Sequence, residues 1–214
     1  MKILVTGAGG YLGSKIVDNL LYKGFAVIPV TRDRCNLLYA NQVRELIRET
    51  SPDRIIHCAA FVPKIPSEYN DDRNKLNIDM TENILISSQC PMVYISSMTA
   101  SNPVTEYAMS KLRGELRLQM LNNGLSIRIP GLFGPPRKNG LIYNMLNTIK
   151  FQYTHSLTLS DDLTEWTGMH VDDAAEEIAK LATGGIDGYR LIELNHSILT
   201  RQFIESLIKL SIEI

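Results

Sequence analysis

The chain has 214 residues, of which 44% are hydrophobic and 21% are charged, and its formal net charge is -1. This size and composition predict a globular protein with one domain, or one domain and a small appendage. The near-zero charge provides no basic field, which excludes nucleic acid and an anionic membrane surface as expected partners. No apolar run approaches the length that a membrane-spanning helix needs.

The cysteines and the first residues indicate the compartment. Cys35, Cys58 and Cys90 lie far apart, without the spacing of a disulfide framework or a metal site, and are interpreted as small core hydrophobes. The opening "MKILVTG" enters a strand pattern directly and leaves no room for a signal peptide. We therefore expect a cytoplasmic protein that holds no metal.

Two hydrophobic periods alternate along the first 130 residues. Short apolar runs that predict strands are separated by amphipathic stretches that predict helices. Strands of this kind, separated by helices, are typical of a parallel sheet covered on both faces, and the fold class predicted is therefore α/β, a doubly wound Rossmann-type sheet. In chain order the predicted elements are strand 2–6, helix 11–22, strand 25–30, helix 41–49, strand 54–59, helix 74–88, strand 92–96, helix 107–121 and strand 125–129.

The pattern becomes less regular after residue 130. Glycines and prolines in "GLFGPP" at 131–136 predict an irregular exit from the sheet. We predict a main domain over 1–130, to which a strand near 189–194 returns, and a smaller substrate-facing lobe over 131–214. The elements expected there are a helix at 141–149, a strand at 155–160, a helix from near Asp172, and a closing helix at 200–210 capped by Thr200.

The first chemical signal is "TGAGGYLG" at 6–13, between the first strand and the first helix. Gly7, Gly10 and Gly13 leave backbone N–H groups uncovered at the positive end of the helix, where a pyrophosphate can bind. Loops collect glycine for other reasons, so an ordinary tight turn is the alternative. The strand before the glycines and the helix after them favour a nucleotide cofactor.

Several motifs in one order resemble the extended short-chain dehydrogenase/reductase family, and within it the nucleotide-sugar epimerases, dehydratases and dTDP-4-dehydrorhamnose reductases. They are GxxGxxG at 7–13, "HCAA" at 57–60, YxxxK at 107–111, "RIPGLFGP" at 128–135 and "HVDDAAEEIAKL" at 170–181. The resemblance implies that domain 1–130 binds NAD(P). The residues that it implies for cofactor binding are Gly7, Gly9, Gly10, Tyr11, Leu12, Gly13, Thr31, Arg32, Cys58, Ala59, Ala60, Asn77, Tyr107, Lys111 and Pro130.

The resemblance also implies a catalytic set of Ser97, Tyr107 and Lys111. Tyr107 would exchange a proton with the substrate oxygen, and Ser97 would hydrogen-bond that oxygen. A phenol has an ordinary pKa of about 10 and needs a neighbouring cation to ionise near neutral pH. Lys111, one helical turn later, is expected to provide it. The alternative is a helix N-terminus that carries an exposed tyrosine and a solvated lysine.

Four other polar side chains near these motifs have separate assignments. Asn77 matches an asparagine that the family places before the catalytic strand, and its alternative is a surface residue of an amphipathic helix. Ser96 is expected to turn toward the sheet or the cofactor. His57 is assigned to packing beside the cofactor, and His170 receives no catalytic role.

The end of the second strand bears on the choice of cofactor. An acidic residue usually stands there in NAD enzymes, whereas this chain reads "VTRDR" at 30–34. The guanidinium groups of Arg32 and Arg34 suit a 2′-phosphate, so NADP is expected. Asp33, between them, could reverse this assignment in favour of NAD.

The chain departs from the family pattern in two places. The link between Ser97 and Tyr107 is short and lacks a loop that helps to wall the substrate pocket, so a more open pocket is expected. An arginine that binds a substrate diphosphate is absent before "HVDD", where Glu165 and Trp166 stand. Arg137 and Lys138 could substitute for it, or the substrate lacks a diphosphate. Trp166 either stacks on a base or sugar or is a core or rim aromatic.

Three functions remain open from the sequence. The first is an NADP-dependent reductase or epimerase that acts on the carbonyl of a sugar or nucleotide-sugar. The second is a dinucleotide-binding sensor without turnover, and the third is a dimerising scaffold. Dehydration is the least expected reaction because Met98 and Thr99, rather than an acid pair, follow Ser97. The resemblance suggests a homodimer through helices 74–88 and 107–121, with which Leu112, Leu116 and Leu118 are compatible without deciding it.

Overall fold

The computed structural model describes residues 1–137, 142–144, 165–203 and 205–206. The chain divides into two compact units. The first unit comprises Met1–Ile129 and Ala175–Leu194, and the second comprises Pro130–Ala174 and Asn195–Ile214. In the described part of the chain, no helix is both long enough and apolar enough to cross a bilayer.

Strands and helices alternate through the first unit, as the hydrophobic periods predict. Short 3-10 turns at Pro66–Asn70, Asp72–Lys75 and Met98–Ser101 interrupt the connections. The elements of the described residues, in chain order, are β1 (Lys2–Thr6), α1 (Tyr11–Tyr22), β2 (Ala26–Val30), α2 (Ala40–Thr50), β3 (Arg54–His57), α3 (Leu76–Ser87), β4 (Met92–Ser97), α4 (Glu106–Leu121), β5 (Gly124–Ile129), β6 (Gly131–Phe133), β7 (Glu165–His170), α5 (Val171–Thr183), β8 (Tyr189–Glu193) and β9 (Ser197–Thr200).

The first unit contains a parallel sheet, whose six described strands have the order β2-β1-β3-β4-β5-β8. Thr6, at the end of β1, lies opposite Val30 of β2 and His57 of β3. The strand order therefore reverses between β1 and β3, and the carboxyl ends of β1, β2, β3 and β4 lie at one edge. In doubly wound sheets a ligand binds at such a reversal. The predicted fold class is confirmed.

Both faces of this sheet are buried. Leu4, Ile55 and Tyr94 point to one face, where they join an apolar cluster with residues of α2, α3 and α4. Ile3 and Val5 flank Leu4 on β1, point to the opposite face and have no exposed surface. The continuous apolar strands of the sequence follow from this burial on two sides.

Arg54 ties β3 to the end of a helix that lies far along the chain. Its Nη1 donates hydrogen bonds to the carbonyl oxygens of Ala182 and Gly184, the latter at 2.7 Å. The last carbonyl groups of a helix have no partner within the helix. The guanidinium therefore caps α5 at its C-terminus and fixes it within the first unit.

The second unit contains a small sheet that the sequence did not predict, with the order β6-β7-β9 in its described part. Gly131 of β6 pairs with Gly168 of β7, and a Cβ on either residue would approach the Trp166 indole to within 3 Å. The indole therefore packs over two glycines. The stretch predicted to be irregular after residue 130 contains β6.

The chain end contains a strand that was not predicted, because Ser197–Thr200 form β9. Thr200 Oγ1 accepts a hydrogen bond from Phe203 N at 3.2 Å, which confirms the helix cap predicted at this residue. The predicted strand 155–160 lies outside the described residues. So do most of the predicted helix 141–149 and residues 207–210 of the closing helix.

Candidate active site

The glycine turn joins β1 to α1 at the edge where the strand order reverses. Gly7 has φ +66°, and a Cβ there would lie 2.7 Å from Ala59 N. A Cβ on Gly13 would lie 2.1 Å from the Gly7 carbonyl oxygen, so α1 can start this close to the turn only with glycine at that position. Gly7 and Gly13 are thus required by packing.

The start of α1 suits an anion. Gly9 and Gly10 are exposed, and Gly10 occupies the N-cap position without a side chain that could cap the helix. The first turn carries no acidic residue. Tyr11 is partly exposed there, whereas Leu12 is buried in the core. Because backbone N–H groups and the helix dipole favour negative charge, these residues fit the pyrophosphate of a dinucleotide.

The end of β2 carries the charged residues that bear on cofactor choice. Thr31, Arg32 and Asp33 are exposed, and a Cβ on Gly9 would contact Thr31 at 3.4 Å, so this segment adjoins the glycine turn. Arg34 donates from Nη1 to Pro29 O at 3.0 Å. Within the described residues, no ion pair or hydrogen bond joins the side chain of Arg32 or Asp33 to another group. The Arg32 guanidinium is therefore available for a phosphate.

The end of β3 faces the same turn with neutral groups. Ala59 N donates to Thr6 Oγ1 at 3.3 Å, and Thr6 Oγ1 also lies 2.7 Å from His57 Nδ1. Burial lowers the pKa of His57 to about 3, and burial raises the pKa of the Cys58 thiol to about 12. His57 is thus an uncharged packing residue, as expected. Cys58 and Ala60 are partly exposed, and the thiol stays protonated.

Asn77 holds the segment that follows β3. Its Oδ1 accepts from Phe61 N at 2.7 Å, and its Nδ2 donates to Phe61 O at 3.1 Å and Ser110 Oγ at 3.3 Å. The side chain is buried, which excludes the surface alternative. Its polar atoms already have protein partners, so Asn77 positions the backbone of residues near the site.

Tyr107 and Ser97 meet where β4 ends and α4 begins. Both side chains are partly exposed. Burial raises the pKa of Tyr107, the neighbouring Tyr69 adds to this, and a hydrogen bond with the Ser97 side chain opposes it. The sequence predicted the opposite direction, because the spacing of Tyr107 and Lys111 did not reveal how far the phenol is desolvated. The protonated phenol is the favoured form.

Lys111 lies beneath these residues, within the unit. Its Nζ is 5.9 Å from the centroid of the Tyr107 ring and 5.2 Å from that of Tyr94, and it donates to Ile95 O at 2.9 Å. Burial lowers the pKa of Lys111 to about 8, and the charge of Glu115 opposes this shift. The solvated-lysine alternative is therefore wrong. At neutral pH the side chain remains mostly a cation.

A buried ion pair joins α4 to β5 and could not be predicted from the sequence. Arg128 of β5 binds both carboxylate oxygens of Glu115, at 2.9 and 2.8 Å, and also pairs with Glu193 at 3.0 Å. The Ser96 hydroxyl donates to the Glu115 carboxylate. Ser96 of β4 therefore points toward α4. This network anchors the helix that carries Tyr107 and Lys111.

The short link after Ser97 is regular. Residues Met98–Ser101 form a 3-10 turn, at whose start the Ser97 hydroxyl accepts from Thr99 N at 3.3 Å and lies 2.9 Å from Thr99 Oγ1. Thr105 then caps α4 by accepting from Ala108 N at 3.2 Å. A link of this length is sufficient to return the chain from Ser97 to Tyr107.

Other residues of interest lie in the second unit. Pro130 belongs to it, Arg137 donates from Nη1 to Leu132 O at 3.2 Å, and Lys138 lies outside the described residues. Trp166 and His170 pack against Phe133, with ring centroids 6.2 and 5.5 Å apart. Trp166 is thus a packed rim aromatic. Within the described ranges, no cluster of side chains could hold a metal ion.

A family model described as "RmlD substrate binding domain" matches residues 1–202. The chain belongs to this family. The family agrees with the resemblance drawn from the motifs, which is confirmed.

Individual relatives and structural neighbours show how far the likeness extends. A UDP-2-acetamido-2,6-beta-L-arabino-hexul-4-ose reductase from Pseudomonas aeruginosa is 29% identical over 86% of this chain and 50% of its own length. Methionine adenosyltransferase 2 subunit beta from Bos taurus is 27% identical over 85% of this chain and 62% of its own length. The chain thus spans about half to three fifths of these relatives. The dTDP-4-dehydrorhamnose reductase structure from Bacillus anthracis, in complex with NADP, has a TM-score of 0.77 and 21% identity, covering 98% of this chain and 80% of the other.

Proposed function

We propose that this chain is an NADP-dependent oxidoreductase that reduces the carbonyl group of a nucleotide keto-sugar. The observation that carries the proposal is the convergence of Ser97, Tyr107 and Lys111 where β4 ends and α4 begins, at the same sheet edge as the glycine turn. The Ser97 side chain lies close enough to Tyr107 to lower the pKa of its phenol, and Lys111 is a buried cation whose Nζ lies 5.9 Å from the centroid of the Tyr107 ring. Together they provide a proton donor, an oxygen-binding hydroxyl and a positive charge.

The three side chains have distinct roles in this proposal. A substrate carbonyl oxygen bound by the hydroxyls of Ser97 and Tyr107 becomes an alkoxide as the carbon is reduced, and Tyr107 donates the proton that neutralises it. Burial favours the protonated phenol, which suits donation. Lys111 stabilises the negative charge that the phenol acquires. The same groups would serve an epimerase, in which the reaction proceeds in both the oxidising and the reducing direction.

The cofactor would be held by the glycine turn, Thr31 and Arg32. The nicotinamide, when bound, supplies the hydride. The exposed Arg32 guanidinium supports NADP over NAD because it can bind a 2′-phosphate, whereas Asp33 would repel one. The neighbour from Bacillus anthracis was crystallised with NADP, which also supports this assignment.

A direct experiment is to titrate the purified chain with NADPH and NADH by fluorescence. NADPH consumption is then measured with dTDP-4-dehydrorhamnose and UDP-2-acetamido-2,6-beta-L-arabino-hexul-4-ose. Tyr107→Phe should lower turnover by about a hundredfold or more while NADPH affinity stays unchanged. Tyr22→Phe is the control, because Tyr22 is 92% exposed at the end of α1. Full turnover by Tyr107→Phe would overturn the proposal.

The relative named methionine adenosyltransferase 2 subunit beta is a subunit of another enzyme, and this similarity favours a second candidate, in which the chain is a subunit or scaffold. The short link between Ser97 and Tyr107 is consistent with it. Tight NADPH binding without consumption of any keto-sugar would support this second candidate. Hydride transfer to either sugar would reject it.

We also propose a cytoplasmic homodimer. The cysteines are free thiols, which suits a reducing compartment. Ile86 of α3 and Leu116 and Met120 of α4 are exposed, whereas Leu118 belongs to the core. These apolar side chains on neighbouring helices would form the interface. Sedimentation velocity would test it, since Leu116→Glu should yield a monomer if the interface is correct.

A further inference from the structure

The segment from Phe61 to Lys75 connects β3 to α3, and its Tyr69 contacts Tyr107, the proposed proton donor. Its two 3-10 turns end at Asn70 and Lys75. Tyr69, in the first turn, meets Tyr107 with ring centroids 5.8 Å apart and an interplanar angle of 87°. This contact could not be predicted from the sequence, because the residues lie 38 positions apart and Tyr69 stands in a polar loop.

Polar contacts within this segment, of which those of Asn74 are buried, support its conformation. Asn74 has no exposed surface, and its Nδ2 lies 2.8 to 3.2 Å from the carbonyl oxygens of Glu68, Tyr69 and Asp71. Arg73 pairs with Asp71 at 2.8 Å and covers the Phe61 ring at 4.5 Å. The backbone that carries Tyr69 is thus fixed from within.

The same segment is also attached to the helix that carries Tyr107. Asn70 Oδ1 accepts a hydrogen bond from Glu106 N at 3.2 Å, at the first residue of α4. At the other end of the segment, Asn77 links Phe61 to Ser110. Because both attachments reach the first turns of α4, the position of Tyr69 relative to Tyr107 is determined.

Tyr69 remains accessible in this arrangement, with 36% of its surface exposed, and Tyr107 is partly exposed beside it. A carbonyl oxygen that reaches the Tyr107 hydroxyl must bring the rest of its sugar ring into the space next to both phenols. A tyrosine ring packs well against the C–H face of a sugar, and its hydroxyl can exchange a hydrogen bond with a sugar hydroxyl.

We propose that Tyr69 contacts the hexose of the substrate and determines which keto-sugar is accepted, forming the pocket wall that the short link between Ser97 and Tyr107 does not provide. This inference rests on the proposed reductase function. The ligand group concerned is the keto-hexose ring of a nucleotide sugar.

The test uses Tyr69→Leu and Tyr69→Phe, with Tyr22→Leu as the matched exposed control. With dTDP-4-dehydrorhamnose and UDP-2-acetamido-2,6-beta-L-arabino-hexul-4-ose, Tyr69→Leu should raise KM at least tenfold for the preferred sugar and change the ratio of kcat/KM between the two sugars. NADPH affinity should stay within twofold. Tyr69→Phe keeps the ring and should raise KM less, and it checks that loss of folding does not explain the result.

An unchanged KM in Tyr69→Leu would overturn the assignment, and so would a fall in kcat alone, which would indicate that Tyr69 only positions Tyr107. If the unaltered chain reduces neither sugar, the proposed function fails separately. In that case the contact between Tyr69 and the hexose is tested by calorimetry, which measures the binding of UDP-glucose in the presence of NADP. Binding at least tenfold weaker in Tyr69→Leu would support the contact, whereas equal binding, or none by the unaltered chain, would overturn it.

Discussion

Lys111 and Glu115 lie one helical turn apart on α4, and both are almost completely buried, with 4% and 3% of their surfaces exposed. Burial lowers the pKa of Lys111 to about 8, and the Glu115 carboxylate limits that shift. A buried ammonium group destabilises the folded state unless its contacts compensate fully. The Lys111 ammonium group, which is proposed to act beside Tyr107, therefore lowers the stability of the folded state.

Lys111→Met should stabilise the protein while abolishing turnover. The pKa of Lys111 is about 8 in the folded state and near 10.5 when unfolded, so the unfolded state binds more protons between these values. At pH 7 the variant should gain up to about 3 kcal/mol, reduced by the lost bond to Ile95 O. This gain should shrink as pH rises from 8 toward 10.5. Urea unfolding at several pH values measures it, and a gain independent of pH would contradict the interpretation.

Arg128→Met should destabilise the protein strongly. The substitution leaves Glu115 buried without its bidentate partner, a change that typically costs about 3–5 kcal/mol. Arg117→Met is the matched control, because Arg117 pairs with Glu82 at a site where both side chains are about one third exposed, and exposed pairs contribute little to stability. Denaturant unfolding compares them. Equal losses would show that burial of the Glu115 pair is unimportant.

Gly114→Ala tests packing against helix propensity. Alanine in a helix interior is favoured over glycine by about 1 kcal/mol. A Cβ on Gly114, however, would lie 2.4 Å from Cζ of Tyr94, whose ring is fully buried and cannot move aside. We expect a net loss of about 1–3 kcal/mol. Gly185→Ala, where a Cβ meets nothing within 4 Å, should change the melting temperature little. A stabilised Gly114→Ala protein would disprove the close contact.

Arg32→Ala should separate the two cofactors. Loss of a guanidinium that binds a 2′-phosphate should weaken NADPH binding about tenfold or more and leave NADH binding unchanged. Arg48→Ala, on the exposed surface of α2, is the control for the change in charge. Fluorescence titration provides both affinities. If the affinities for NADPH and NADH fall together, Arg32 does not bind the 2′-phosphate.

The regular elements could be predicted because their signals are local. Strands β1 to β5 and helices α1 to α4 follow from apolar runs and helical spacing, and the glycine turn from its place between them. The strands β6 and β9 were missed because three or four residues give little periodicity. The longer strand β7 was missed because Gly168 and Trp166 do not alternate as a half-buried strand should.

The missed site residues have a different cause. Glu115 stands among charged and apolar residues of a helix, where it reads as a surface residue, and only its contact with Arg128 reveals that it is buried. Tyr69 meets Tyr107 through a loop whose path depends on the buried Asn74. Spacing placed Lys111 near Tyr107 correctly. It could not give the degree of burial, which sets the direction of both pKa shifts.

The bonds from Arg54 to residues 182 and 184 bear on how the chain is made. A ribosome releases the N-terminus first, so β1 to β5 emerge while α5 and the edge strand β8 are still unsynthesised. During that interval Arg54 lacks its carbonyl partners and β5 has an open edge. A nascent chain stalled near residue 150 should therefore be sensitive to protease or to a chaperone, and protection should arise only after Glu193 has left the exit tunnel.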